Sequence, residues 1–115
     1  MDSIESRQKK ICERFGSIFA PPQPTQKVGI ALSTLDLIPL NAVRVPPKDD
    51  ICGWYIWGGD YNEAEEFYQP MHMSHISQYC PAIEPYLALS PGWGVIISPS
   101  EDYEDVWFDE ARLHV

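Results

Sequence analysis

Two histidines and a cysteine in the middle of the sequence are the side chains best suited to binding a metal ion. His72 and His75 are three residues apart, so on a helix they would share one face, and Cys80 follows five residues later. However, no second cysteine or carboxylate stands at a recognised zinc-ligand spacing, since Cys52 lies elsewhere in the chain. The pattern therefore favours histidines that pack or cap a short helix and cysteines in the core, with a small metal-binding module as the alternative.

A run of carboxylates around Tyr103 is the second candidate, and its members are Glu101, Asp102, Glu104 and Asp105. Such a cluster could bind Ca²⁺ or supply an acid and a base, but it lacks the alternating ligands and central glycine of a calcium-binding loop. Carboxylates this close repel one another, and a chain tolerates the repulsion where they are solvated or meet a cation. We therefore expect a solvated acidic turn or a surface for a cationic partner, with a small catalytic module as the alternative.

The segment Trp54–Trp57 is aromatic and β-branched, which predicts a strand. Side chains alternate along a strand, so Trp54 and Ile56 would face one side while Tyr55 and Trp57 face the other. One interpretation is a central strand that is covered on both faces. The functional interpretation leaves Trp57 or Tyr55 partly exposed as an anchor for a binding partner, a common role of these side chains.

Charged and aromatic side chains are unevenly distributed along the chain. Residues 1–50 contain seven Lys and Arg against six Asp and Glu, whereas residues 51–115 contain Arg112 alone against eleven acidic residues. All four tryptophans and all six tyrosines also lie after Gly53. An acidic and aromatic surface suits a basic macromolecule, and it repels nucleic acid and anionic lipid because both are polyanions. We therefore expect a basic protein partner, and neither nucleic acid nor a membrane.

The remaining composition is that of an ordinary globular protein, and we expect a single domain over residues 1–115. Three cysteines do not predict a disulfide framework, and no apolar stretch forms a signal peptide or reaches the ~20 residues of a membrane span. We therefore expect a reduced, cytoplasmic protein. No nucleophile motif, phosphate-binding glycine loop or His-Glu-x-x-His motif is present, so the sequence predicts neither an enzyme nor a cofactor.

The elements that must position these residues form an α+β pattern. Residues 1–20 are predicted as an N-terminal helix, periodic over 3–19, with Ile18 in its apolar stripe and Asp2 and Glu5 arranged like a capping box. A proline-rich linker over 21–26 follows, and 27–115 would hold a mostly antiparallel sheet of four to five short strands with one or two short helices. The predicted strands are 27–33, 35–45, 52–58, 93–98 and 105–108, the predicted short helices are 73–79 and 81–87, and 60–70 is predicted as a surface loop or one helical turn.

Several segments of the chain, in their order and spacing, carry a family resemblance. They are Cys52–Gly59 (CGWYIWGG), Phe67–His72 (FYQPMH), His75–Pro81, Pro85–Leu87, Pro91–Trp93 and Tyr103–Asp109 (YEDVWFD), together with Ile11–Phe19 and Val28–Leu40 nearer the N-terminus. With these segments the sequence resembles the bacterial immunity-protein family numbered thirty-three, over nearly its whole length.

The resemblance implies a small cytosolic protein that is encoded beside a toxin, binds it and neutralises it, with no catalytic residues to carry over. The net charge of −9 favours a basic toxin of the nuclease type. Interface residues of immunity proteins tend to vary with their toxins, so the resemblance favours the less pattern-like acidic side chains as contacts. These are Asp60, Glu63, Glu65, Glu66, Glu101 and Asp102. The aromatic strand and the carboxylate run add Trp57, Glu104 and Asp105 to the predicted contact residues.

Overall fold

One mixed β-sheet dominates the computed structural model of the chain, which describes residues 3–59 and 68–114. Its strands are β1 Lys27–Ile30, β2 Leu40–Arg44, β3 Ile51–Gly58, β4 Gln69–His72, β5 Trp93–Ser98 and β6 Tyr103–Phe108. Their order across the sheet is β4-β1-β3-β2-β5-β6. β1 and β3 run parallel, and every other neighbouring pair is antiparallel.

Short helical segments connect the strands. The α-helices are α1 Ile4–Phe15 and α2 Ile76–Tyr79, and 3-10 helices span Leu32–Thr34, Met73–His75, Pro81–Tyr86, Pro99–Glu101 and Glu110–His114. Across residues 3–59 and 68–114, no helix has the length and apolar character needed to cross a membrane. The α+β class, the N-terminal helix and the short middle helices agree with the sequence prediction.

Helix α1 is shorter than its apolar periodicity predicted. The Ser3 hydroxyl accepts a hydrogen bond from the Ser6 amide at 3.1 Å, so Ser3 is the N-cap in place of the predicted Asp2. At the other end Gly16 takes a left-handed conformation (φ 88°), which ends the helix at Phe15. Ile18 therefore leaves the helical stripe, and its side chain is 77% exposed.

The sheet has more strands than predicted, and one of its pairs is parallel. β4 lies within the 60–70 stretch and just beyond it, where a loop or helical turn was predicted, while residues 60–67 lie outside the described part of the chain. Pro70 obscured this strand, because proline is typical of turns and is tolerated in sheets mainly on edge strands such as β4. β6 begins at Tyr103, two residues earlier than predicted. Glu104 and Asp105 therefore lie on a strand and point to opposite faces of the sheet.

The core lies between one face of the sheet and the helical segments. Alternate side chains of the strands meet apolar side chains of α1, α2 and the 3-10 helix Pro81–Tyr86. Trp54 is at the centre with 0% exposure, and its indole Nε1 donates to the Leu87 carbonyl at 2.9 Å. Since these helical segments pack on this face, most side chains of the opposite face are left half-buried or exposed, and the polar Asn41 and Ser98 are buried there.

A buried arginine joins three separate segments inside this core. Arg44, at the end of β2, is 4% exposed and lies 5.7 Å from the Trp54 ring centroid. Its Nη1 donates to the carbonyls of Ala20 at 2.6 Å and Leu89 at 2.7 Å, and its Nε donates to the Cys52 carbonyl at 3.2 Å. Burial lowers the pKa of Arg44, but a guanidinium stays charged in proteins, so these carbonyls solvate a cation within the core.

Replacing the central tryptophan tests this description of the core. We expect Trp54→Ala to lower the free energy of unfolding by about 3–5 kcal/mol, because it removes a fully buried ring. Trp93→Ala serves as the comparison, and its loss should be clearly smaller because the Trp93 ring is only partly buried. Urea denaturation of both variants measures the difference, and equal losses would contradict the core described here.

Candidate functional site

The predicted cluster of carboxylates is divided between two sides of an edge strand. Along β6, Glu104 points to the helix-covered face of the sheet, whereas Tyr103 and Asp105 point to the opposite face. Asp102 lies in the turn before β6 with φ 52°, and Glu101 ends the preceding 3-10 helix. The carboxylates therefore do not converge on one point as an acid/base pair or a calcium site would require.

Glu104 is tied to the helical layer. Its carboxylate forms an ion pair with Arg14 of α1 at 2.8 Å and accepts a short hydrogen bond from the Tyr86 hydroxyl. Burial raises the pKa of Tyr86, the hydrogen bond and charge of Glu104 raise it further, and Arg14 opposes them. These three side chains line a groove of about 550 Å³ at the sheet edge, which Asp102 and Tyr103 also border.

The other carboxylates of the cluster are directed to solvent. Glu101 accepts a hydrogen bond from the Ser98 hydroxyl at 2.9 Å, which holds it beside the start of β6. Asp102 and Asp105 are both exposed, and within the described ranges neither has an ion-pairing cation. These side chains give the β6 edge a negative surface that is accessible to a partner.

The face of the sheet opposite the helices presents a continuous row of residues across all of the strands described. The strand registers place them side by side in the order Pro70, Gly29, Tyr55, Val43, Gly94 and Trp107. The adjacent row begins at Trp57 and ends at the exposed carboxylate of Asp105. We call this surface the open face, and its aromatic side chains are half-buried.

Two glycines of the open face let flat groups lie directly on the sheet. A Cβ at Gly29 would stand 2.7 Å from the Tyr55 ring, and a Cβ at Gly94 would stand 2.8 Å from Nη2 of Arg112. The Arg112 guanidinium lies 5.0 Å from the Trp107 ring centroid and donates to the Gly92 carbonyl at 2.9 Å. An arginine side chain is therefore already bound on this face, by residues of the same chain.

Tyr68 adds a further aromatic ring to the open face. Its ring meets Tyr55 edge-on at 5.1 Å between centroids and meets Trp57 edge-on at 6.3 Å. Trp57, a predicted contact residue, thus belongs to an aromatic group and is half-buried. The other predicted contacts in this part of the sequence lie outside the described residues, and they are Asp60, Glu63, Glu65 and Glu66.

The histidine and cysteine pattern does not form a metal site. The rings of His72 and His75 are 5.9 Å apart, but Cys80 is 4% exposed and belongs to the core. Within residues 3–59 and 68–114, no group of three or more His, Cys, Asp or Glu side chains could hold a metal ion. Burial also raises the pKa of the Cys80 thiol, which disfavours the thiolate that a metal requires.

Most of the residues that organise these surfaces were not predicted from the sequence. Glu104 was a predicted contact residue, but its ion pair with Arg14 was missed, because the two are far apart in the chain and no local spacing indicates it. Arg112 did carry a signal, because it is the only basic residue after Gly53, yet its position over Trp107 depends on the C-terminal turn. Tyr68 likewise reaches the open face only because β4 pairs with β1.

Comparison with known proteins adds to this geometry. The family model of the Imm33-like domain matches residues 7–109, which is most of the chain. The chain belongs to the Imm33-like family. The match confirms the resemblance found in the sequence and covers most of α1, every described strand and the core. No curated protein and no solved structure matches this Imm33-like chain.

The raised pKa of Tyr86 makes the stability of this Imm33-like protein dependent on alkaline pH. The folded protein keeps the phenol proton at pH values where the unfolded chain, with an ordinary tyrosine pKa near 10, releases it. The contribution of the neutral phenol to the free energy of unfolding is therefore fully present below about pH 10. It is lost as the pH rises further, by at most about 1.4 kcal/mol for each pH unit.

We expect Tyr86→Phe to remove this part of the alkaline decline, as measured by urea unfolding from about pH 8 to about pH 11. Tyr79→Phe is the control, because Tyr79 is 51% exposed. If the wild type and Tyr86→Phe declined with the same slope, the assignment of the Tyr86–Glu104 interaction would be wrong.

Proposed function

We propose that this protein acts in the cytoplasm as the immunity protein of one bacterial toxin, which it binds and neutralises in a stoichiometric complex. The observation that carries the proposal is the Imm33-like match over residues 7–109, since it makes the chain a member of an immunity-protein family. Inhibition by binding needs an accessible surface and no catalytic group. The open face and the β6 edge supply such a surface, and membership in an immunity family points away from an enzyme.

The distribution of charge supports a basic toxin. Four of the eight basic residues lie on α1, on the helical side of the sheet, and they are Arg7, Lys9, Lys10 and Arg14. Of the four others, Lys27 pairs with Asp50 at 3.2 Å, Arg44 is buried, Lys48 is exposed in the loop before β3 and Arg112 lies over Trp107. The β6 edge keeps exposed carboxylates, so the described surface has a basic side and an acidic side.

An acidic surface of this kind inhibits a basic toxin by covering the cationic region with which the toxin would contact its substrate. The net charge of −9 favours a toxin that acts on nucleic acid, since such toxins need a positive surface to hold a polyanion. Opposite charges also accelerate the encounter, and steered association reaches about 10⁸–10⁹ M⁻¹s⁻¹ at low salt and slows as salt is added. Aromatic side chains beside the acidic edge would then slow dissociation.

The proposal is tested with the effector encoded beside the gene for this chain. Cells that express the toxin domain of that effector should survive when they also express this protein, and the two purified proteins should form a complex. If the cells die and the purified proteins do not associate, the assignment as its immunity protein fails.

A pair of charge-matched variants tests the acidic edge. Asp102→Asn with Asp105→Asn should slow association with the toxin domain about three- to tenfold at low salt, because it removes two exposed charges from the proposed contact. Glu5→Gln with Glu13→Gln removes the same charge from α1 and should change the rate much less. Stopped-flow fluorescence at two salt concentrations measures both, and equal effects would show that only net charge matters.

A further inference from the structure

The Arg112 contact shows what chemistry the open face recognises. The guanidinium lies over the Trp107 ring, meets the bare backbone of Gly94 and donates to a main-chain carbonyl at Gly92. A planar cation satisfies all of these contacts at once, because its plane can stack on the ring while its edge donates hydrogen bonds. A lysine ammonium has no plane to stack. The arrangement is therefore suited to arginine more than to a cation of any shape.

A second pairing of a glycine with aromatic rings lies on the other half of the open face. Tyr55 lies directly over Gly29, and Tyr68 lies edge-on beside Tyr55. A groove of about 320 Å³ runs along these side chains and is also bordered by Pro70 and by the ion pair of Lys27 and Asp50. Aromatic faces of this kind attract a cation that lies over them.

Negative charge lines the far edge of the open face as well. Asp105 ends the row that begins at Trp57, and a second groove of about 460 Å³ lies between Ile96, Glu101 and Tyr103. Two cations lie on this side: Lys27, which is paired with Asp50, and Arg112, which lies over Trp107. The face therefore complements a cationic surface, and two copies of it would repel each other.

We propose that the toxin docks on the open face and places arginine side chains over its aromatic rings, as Arg112 lies over Trp107 within the chain. This inference rests on the proposed function, since it names the surface and the chemistry with which the toxin is held. The central contact is formed by Tyr55 and Val43, which lie between Gly29 and Gly94. The exposed carboxylates of the β6 edge would surround this contact and orient the toxin.

The choice of arginine is tested without the toxin. N-acetyl-arginine amide is titrated into the ¹⁵N-labelled protein at constant ionic strength, and the indole N–H signals of the tryptophans are followed by NMR. The signal of Trp57 should shift, and N-acetyl-lysine amide should shift it several-fold less. The signal of Trp54 should stay in place, because this indole is buried and bonded to Leu87. Equal shifts with both amides, or none at Trp57, would overturn the preference for arginine.

The docking surface is tested with two matched lysine substitutions. Val43→Lys places a cation at the centre of the open face, and Ile18→Lys places one on a side chain that is 77% exposed away from it. We expect Val43→Lys to weaken binding of the toxin domain at least about tenfold and Ile18→Lys to leave it within about twofold. If Val43→Lys lowers the melting temperature sharply, the test is repeated with Asp105→Lys in place of Val43→Lys. Glu13→Lys then serves as the control in place of Ile18→Lys.

The outcomes separate this inference from the proposed function. Wild-type binding that neither substitution weakens would place the interface elsewhere and leave the immunity role intact. Absence of wild-type binding would remove the proposed function itself. Light scattering of the protein alone completes the test, because a dimer that Val43→Lys dissociates would show that a second copy, and not a toxin, covers this face.

Discussion

A buried cation that has no carboxylate partner among residues 3–59 and 68–114 is the constraint on which this fold depends. Arg44 cannot lose its charge, so its guanidinium requires acceptors inside the core, and it obtains them from the carbonyls of Ala20, Cys52 and Leu89. These carbonyls belong to the segment after α1, to β3 and to the segment after the 3-10 helix Pro81–Tyr86. The helical layer is thereby fixed to one face of the sheet, and Trp54 fills the space beside the guanidinium and adds a hydrogen bond to Leu87.

Fixing the helices to one face has a direct consequence for recognition. Arg14 of α1 binds Glu104 at the sheet edge, so one carboxylate of the acidic cluster serves the fold while Asp102 and Asp105 stay exposed. The basic residues are concentrated on α1, and the opposite side keeps aromatic rings with carboxylates around them. The chain belongs to the Imm33-like family, and under the proposed immunity role this polarity would complement a basic surface of the toxin.

The predictable part of this structure is the part that local patterns determine. The apolar periodicity of α1 and the aromatic strand around Trp54 both predicted their elements, since each pattern reports which face is buried. β4 was missed because Pro70 is typical of turns, and its place beside β1 depends on distant pairing. The roles of Arg44 and Glu104 could not be read from neighbours, because their partners lie in other segments of the chain. Sequence reasoning treated the carboxylates 101–105 as one cluster, whereas strand alternation divides them between two faces.

Hydrogen–deuterium exchange of the complex with the toxin domain of the neighbouring effector tests the central claim most directly. If the open face and the β6 edge bind the toxin, amides of residues 103–108 should exchange more slowly in the complex, because β6 is an edge strand with accessible backbone. Amides of α1, residues 4–15, should exchange at the same rate with and without the toxin. Slower exchange confined to α1 and the other helical segments, with β6 unchanged, would contradict the account.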